Sequence, residues 1–411
     1  MRGCLLPTCL LLFCGLVSAQ QSWPQYRGPT GDGHSTAKGV PTEFSEEKNI
    51  RWKTEIHGKG WSSPVVWGEH VWLTTGTEDG KELFVVAVNR KTGKIDHDLK
   101  VFTPKNPPDL RKYNSHASPT PCLADGKGYF HFGTYGTVCL DLKNAKPVWE
   151  RTDINVDHWR GPASSPVIHG DHLFLTFDGH DKQFVTALNV NTGKDVWLKP
   201  RNIRYSTNDG DYKKAFSTPH IITVGKQDQL VSSASDATIA YDPKTGDELW
   251  KVYHGGMNEA GRPVFAHGLV YLTAGHSKTL LAVKPGTGEL TGKDFTWQIK
   301  KDAPTRPSPL ALGDNLYFTS DEGVAFCVDA KTGTQLWKER LGGPLSASPV
   351  LVEGNLWFAT ENGLIEVVAA EPKFNRIATN RLSTGTKASP AAVDDAVYHR
   401  THTHLYAIGN K

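Results

Sequence analysis

Cys327-Val328-Asp329-Ala330-Lys331-Thr332-Gly333-Thr334-Gln335-Leu336-Trp337 reads as a strand end, a tight turn and the start of a second strand. The Asp carboxylate can hydrogen-bond the turn backbone, and Gly333 supplies the positive φ that such a turn needs. The same order of residues runs from Ala240 to Trp250 through Asp242, Thr245 and Gly246. It runs one residue shorter from Leu188 to Trp197 through Asn189, Thr192 and Gly193. Asn89-Arg90-Lys91-Thr92-Gly93-Lys94 is a further copy of the turn, and Trp149 and Trp297 hold the aromatic position in other units.

A second marker has the same period. A short motif ending in Pro occurs at Ser63-Pro64, Ser118-Pro119, Ser165-Pro166, Thr218-Pro219, Arg262-Pro263, Ser308-Pro309, Ser348-Pro349 and Ser389-Pro390. The prolines are 55, 47, 53, 44, 46, 40 and 41 residues apart. Such spacing suits propeller blades of four short strands. Between the markers, apolar residues alternate with period two and are punctuated by Gly, Asn and Asp, as in Leu356-Trp357-Phe358-Ala359-Thr360 after Glu353-Gly354-Asn355. The expected fold is therefore all-β, an eight-bladed propeller of four-stranded antiparallel blades.

The turn-and-Trp pattern resembles the tryptophan-docking motif of the pyrroloquinoline-quinone (PQQ) enzyme repeat, Ala/Cys-x-Asp-x-x-Thr-Gly-x-x-x-Trp, and the resemblance covers the chain after its first residues. It implies blades that dock through the Trp. The eighth unit ends at Tyr406-Ala407-Ile408, where its Trp strand should begin, and Asn49-Ile50-Arg51-Trp52-Lys53-Thr54 supplies such a strand at the other end. An N-terminal strand is thus expected to complete the last blade and remove the open edge. Trp23-Pro24-Gln25-Tyr26-Arg27-Gly28-Pro29 is similar to the opening of secreted planctomycete PQQ-like propellers.

The N-terminus carries Arg2, an apolar run from Leu5 to Val17 and the small-residue site Val17-Ser18-Ala19. Residues 1–19 are expected to be a signal peptide cleaved near Ala19, residues 20–411 a single propeller domain, and residues 20–48 its lead-in segment. The protein is then exported, periplasmic or extracellular, with no membrane span, and a monomer is expected. A net charge of +3, from 46 Lys+Arg and 43 Asp+Glu, gives no footprint for nucleic acid. Cys122, Cys139 and Cys327 remain after cleavage at unrelated spacings, so they read as small buried hydrophobes rather than a disulfide framework. His399, His402 and His404 lack a placed carboxylate partner, and Asn208-Asp209-Gly210-Asp211 lacks the later Glu of a calcium loop.

In this topology the loops leading into each first strand share a face with the turns between second and third strands. The funnel mouth is expected to carry Trp61, His116, His158, Trp159, Arg160, Tyr212, Lys214, Asn258, Glu259, Arg262, Arg306 and Lys387, with Tyr113, Asn114 and Ser346 beside them. Cations and aromatics converging there suit an anionic or carbohydrate ligand. The expected function is a non-enzymatic binding or scaffold protein, taking such a ligand or an envelope protein partner. The second form resembles the propeller lipoprotein of the outer-membrane barrel-assembly machinery. No cofactor is expected. The alternative that the resemblance implies is a PQQ- and calcium-dependent dehydrogenase of alcohols or sugars, whose family holds the quinone under a vicinal disulfide. No Cys-Cys pair occurs in this chain.

Overall fold

The computed structural model describes residues 22–110 and 114–410. Eight sheets follow one another around a ring. Seven are consecutive antiparallel blades spanning residues 65–102, 122–151, 167–200, 220–253, 264–300, 310–340 and 350–381, here blades 1 to 7. Blade 8 takes three strands from residues 391–408 and its outermost strand from Ile50–Glu55, which pairs with His404–Ile408 through Trp52 opposite Ala407 and Lys53 opposite Tyr406. The ring closes as the displaced Trp strand implies, and each end of the chain covers the other's open edge.

The Trp motif acquires a packing reason. Trp149, Trp197, Trp250, Trp297, Trp337 and Trp52 stand across the sheet from Cys139, Ala187, Ala240, Ala282, Cys327 and Ala407. A small residue there leaves room for the ring, which accounts for the Ala/Cys position and for two of the three buried free thiols. The indole of one blade then docks on the Thr-Gly turn of the next. Trp52 donates Nε1–H to the carbonyl of Arg90, Trp149 to Val190, Trp197 to Pro243 and Trp297 to Ala330. A Cβ at Gly93 would strike the Trp52 ring, so that turn needs glycine for space as well as for its φ of 72°. Trp250 is the exception. An extra strand, Gly288–Leu290, pairs parallel beside it, and its Nε1–H turns to Gln229 in its own blade.

The Pro motif joins the blades at the centre. The backbone N–H of Ser63 donates to Thr120 Oγ1, that of Thr120 to Ser165, and that of Ser165 to Thr218. The circle resumes from Arg262 to Ser308, Ser308 to Ser348, Ser348 to Ser389 and Ser389 to Ser63. In blade 2 the equivalent pair is therefore Thr120-Pro121, two residues beyond Ser118-Pro119. Its first strand begins at Cys122, and Ser118 Oγ turns to Asn114 and Ser115. The link from Thr218 to blade 5 has no hydroxyl to receive it, because Arg262 stands in the serine position.

Residues 23–38 lie across the inner ends of the blades. Trp23 bridges Val66, the Pro24 carbonyl accepts from Leu123 N–H, His34 bonds Ala311, Ser35 N–H donates to Leu351, and Ser35 Oγ donates to Ala392. Each partner is the second residue after its blade's proline. Because the first strands run outward from those prolines, the segment crosses the central channel just beyond the hydroxyl ring. Arg27 is fully buried and fixes it, donating to the carbonyls of Asp32, Ser308 and Pro309. Arg262 reaches the Tyr26 carbonyl, and a Cβ on Gly31, whose φ is 77°, would strike its guanidinium.

Candidate functional site

The crossing segment makes the central channel blind. Above it lies a cavity of about 490 Å³ with Tyr26 in its floor, hydroxyls of the ring (Ser63, Thr120, Ser165, Thr218 and Ser389) around it, and the mouth loops as walls. The Tyr26 hydroxyl lies 2.8 Å from Ser348 Oγ and 3.4 Å from Ser308 Oγ, so the aromatic is held by two blades.

Two polar clusters face each other across this funnel. On the blade 3 side, the Arg160 guanidinium grips Asp211 with two bonds, Nε at 3.1 Å and Nη2 at 2.9 Å. Lys214, buried, bonds the same carboxylate and stands 3.9 Å from the centre of the Trp159 ring. Asp211 is consequently held below the usual carboxylate range by its bonds to Arg160 and Lys214, against the opposing effect of burial. Three blades further round, Arg306 donates to Ser346 Oγ at 2.9 Å and to Glu361 Oε1 at 3.1 Å. Asp321 takes the Thr305 hydroxyl and the backbone of Thr305 and Arg306. Lys387, two blades beyond Arg306, stands 3.9 Å from Glu361 and 5.4 Å from the Trp61 ring centre. Four cations thus meet three carboxylates, leaving one positive charge in excess inside a partly dehydrated funnel, where charge acts more strongly than in water.

Of the twelve residues expected at the mouth, Trp61, Arg160, Asn258, Arg306 and Lys387 line this cavity. Lys214 stands behind Arg160, supporting Asp211. Trp159 and Tyr212 are exposed on the rim, 42% and 48% accessible. His116 and His158 are buried in the loop packing, and burial lowers each to a pKa of about 4. Arg262 lies beneath the floor. Glu259 is buried beneath the wall, where its Oε1 accepts from Thr273 and Gly261 N–H, and burial raises its pKa to about 8. Tyr113 lies outside the described residues. Sequence reasoning missed Tyr26 as a floor, and it missed His276 and Asp321. The last two sit on turns between second and third strands, so reading those turns along with the mouth loops would have found them.

Comparison with known proteins then places the chain. The family model described as "Outer membrane protein assembly factor BamB" matches residues 181–408, more than half of the sequence. The chain belongs to this BamB family. The fold agrees with the solved structure of BamB from Moraxella catarrhalis, at a TM-score of 0.61 and 10% identity over 87% of this chain and 99% of that one. A europium-containing methanol dehydrogenase superposes at a TM-score of 0.72, with 12% identity over 94% of this chain and 91% of that one. A curated relative, the tetrathionate hydrolase of Acidithiobacillus ferrooxidans, is 26% identical over 63% of this chain and 50% of its own length. The chain thus spans about half the length of the curated relative it matches.

The repeat's resemblance to the quinone enzymes raises a quinone and calcium as occupants of the funnel. Calcium takes roughly six to eight oxygens. Asp211, Asp321 and Glu361 are each committed to cations and hydroxyls, and no group of three His, Cys, Asp or Glu side chains is placed to hold a metal among the described residues. Among the buried side-chain oxygens without a partner, Asn258 Oδ1 belongs to the cavity lining and Glu259 Oε2 lies beneath its wall, the latter on a carboxyl that burial keeps protonated at neutral pH. Cys122, Cys139 and Cys327 lie buried in three different blade strands and give no vicinal cap. The donor set does not fit the group.

Proposed function

We propose that this protein is an exported binding protein whose blind funnel holds a small anion. The observation that carries the reading is the floor. A channel closed by Tyr26 and lined by Arg160, Arg306 and Lys387 has the size and form of a ligand pocket rather than of an open ring. The tetrathionate named in the curated relative is a linear dianion, and the two cationic clusters face each other as its two ends would require. Export is supported by the apolar N-terminal segment and by the outer-membrane assembly role in the family's description. No helix among the described residues is long and apolar enough to cross a membrane.

Calorimetric titration of the purified protein with tetrathionate, sulfate and a neutral sugar tests the reading. Saturable binding of an anion, abolished by Arg160→Gln, is expected. Heat from the neutral sugar alone would turn the reading toward carbohydrate, and no binding of any anion at millimolar concentration would end it. Assaying the same samples for tetrathionate turnover distinguishes a binder from a hydrolase.

A second reading is favoured by the family and by one surface feature. Trp159 and Tyr212 project side by side in sequence order from the loops of adjacent blades 3 and 4, and exposed aromatics of this kind anchor protein interfaces. A double Trp159→Ala, Tyr212→Ala variant that no longer captures an envelope protein held by the parent would support a scaffold role. Equal capture by both would remove it.

A further inference from the structure

One corner of the funnel brings together side-chain donors from separate loops. The Trp61 indole N–H is buried and has no hydrogen-bond partner. It can only donate. Lys387 lines the cavity from the neighbouring blade, 18% exposed, and its ammonium also can only donate. The carboxylate facing it, Glu361, is 3.9 Å away, beyond hydrogen-bond reach, and Oε1 of that carboxylate is taken by Arg306 and Ser346. Outside the cavity lining, His402 packs edge-on against the Trp61 ring at 5.0 Å between centres, with its Nδ1 buried and unpartnered, a donor in the Nδ1–H tautomer or the protonated ring. Buried donors left unmatched are costly, by a margin comparable to a lost hydrogen bond.

We propose that Trp61, Lys387 and His402 form a subsite for one sulfonate- or sulfate-type end of the funnel's ligand, a group bringing three acceptor oxygens and one negative charge. The inference rests on the anion-binding reading and adds to it the identity of the end group and of the residues that receive it. Several donors from separate loops suit a tetrahedral end with three oxygens. The indole N–H fixes one oxygen by direction, and the ammonium supplies charge from above the ring. The opposite pole, Arg160 backed by Lys214 and Asp211, receives the remainder of the ligand. Two sources present this end group: a polythionate chain, and a sulfate ester carried on a sugar.

The experiment titrates the purified protein with tetrathionate, a sulfated monosaccharide, methanesulfonate and the unsulfated sugar. Affinity is followed calorimetrically, and the Trp61 indole N–H is followed by nitrogen–proton correlation spectroscopy, assigned by its loss in Trp61→Phe. Wild type is expected to bind at least one of the three oxyanions, with the indole N–H signal moving on saturation. Trp61→Phe, which keeps the ring, and Lys387→Met are each expected to weaken binding by about tenfold or more. Tetrathionate as the tighter probe identifies a polythionate source, and the sulfated sugar as the tighter probe identifies a glycan. Oxyanion binding that both variants retain within about twofold, with a still indole signal, overturns the subsite while leaving the anion reading intact. Failure of wild type to bind any oxyanion removes both. Melting curves of the two variants accompany the titrations, and the wild-type indole signal decides the matter should either variant be unstable.

Discussion

Tyr26 and Ser348 are separated by 322 residues, yet their hydroxyls lie 2.8 Å apart. That bond ties the segment flooring the funnel to the inner ring of blade 7. Its neighbour Arg27 spends two guanidinium nitrogens on three carbonyls in full burial. Arg27→Ala is expected to leave those carbonyls unmatched and lower the unfolding free energy by about 3 kcal/mol in urea titrations. Tyr26→Phe keeps the ring in the floor and is expected to cost only about 1 kcal/mol.

Ring closure gives a larger effect. Trp52 carries blade 8 onto the Thr-Gly turn of blade 1, donating to the Arg90 carbonyl and packing on Gly93. Trp52→Ala is expected to destabilise by about 3–4 kcal/mol, the usual range for a large aromatic removed from a packed site. Deleting residues 20–56 removes both floor and closing strand, and calorimetry is expected to find no cooperative melting transition.

Glu259 makes stability fall as pH rises. Burial raises its folded-state pKa from 4.5 to about 8. Its favourable contribution is fully present below the unfolded value and is lost as pH rises from about 4.5 through 8. Glu259→Gln keeps an acceptor for Thr273 and Gly261 without the charge. The variant is expected to outlast the parent at pH 8 by more than at pH 5, measured as the difference in melting temperature across that window.

Anion affinity should run with acid. Burial holds His402 and His276 below the ordinary histidine value. Lys387, Arg400 and Lys59 add to this for His402 against Glu361, and Arg160, Arg306 and Lys278 add to it for His276 against Asp321. Both therefore gain a proton only below the ordinary histidine range, and a bound anion favours the charged form. Affinity for tetrathionate is expected to rise several-fold between pH 7.5 and about pH 5, and the double variant His276→Gln, His402→Gln is expected to flatten that rise.

The quinone alternative is open to direct measurement. Because Asp211, Asp321 and Glu361 face cations and Glu259 is protonated at neutral pH, micromolar PQQ with excess calcium is expected to leave no bound absorbance after gel filtration. Stoichiometric retention of the quinone, with dye-linked alcohol or sugar oxidation, would restore the dehydrogenase.

The sequence by itself determined the repeat. Thr-Gly turns, a Trp facing Ala or Cys, and period-two alternation are local rules of strand and turn, so they are written out residue by residue and recur in most blades. It determined the closure too, because a strand missing at one end and present at the other has one economical arrangement. The tertiary structure alone decided the site. Mouth position follows from topology, but the direction of a side chain follows from its neighbours. Thus Arg160 faces the cavity while Lys214 turns beneath it to share Asp211, and Glu259 turns into the wall beside Asn258, which lines it. The floor was least legible of all. Trp23 to Ser35 carries no alternation that marks it as structure, and it finds partners only when the inner strands of blades 1, 2, 6, 7 and 8, brought together by ring closure from up to 357 residues away in sequence, present their carbonyls and N–H groups to it.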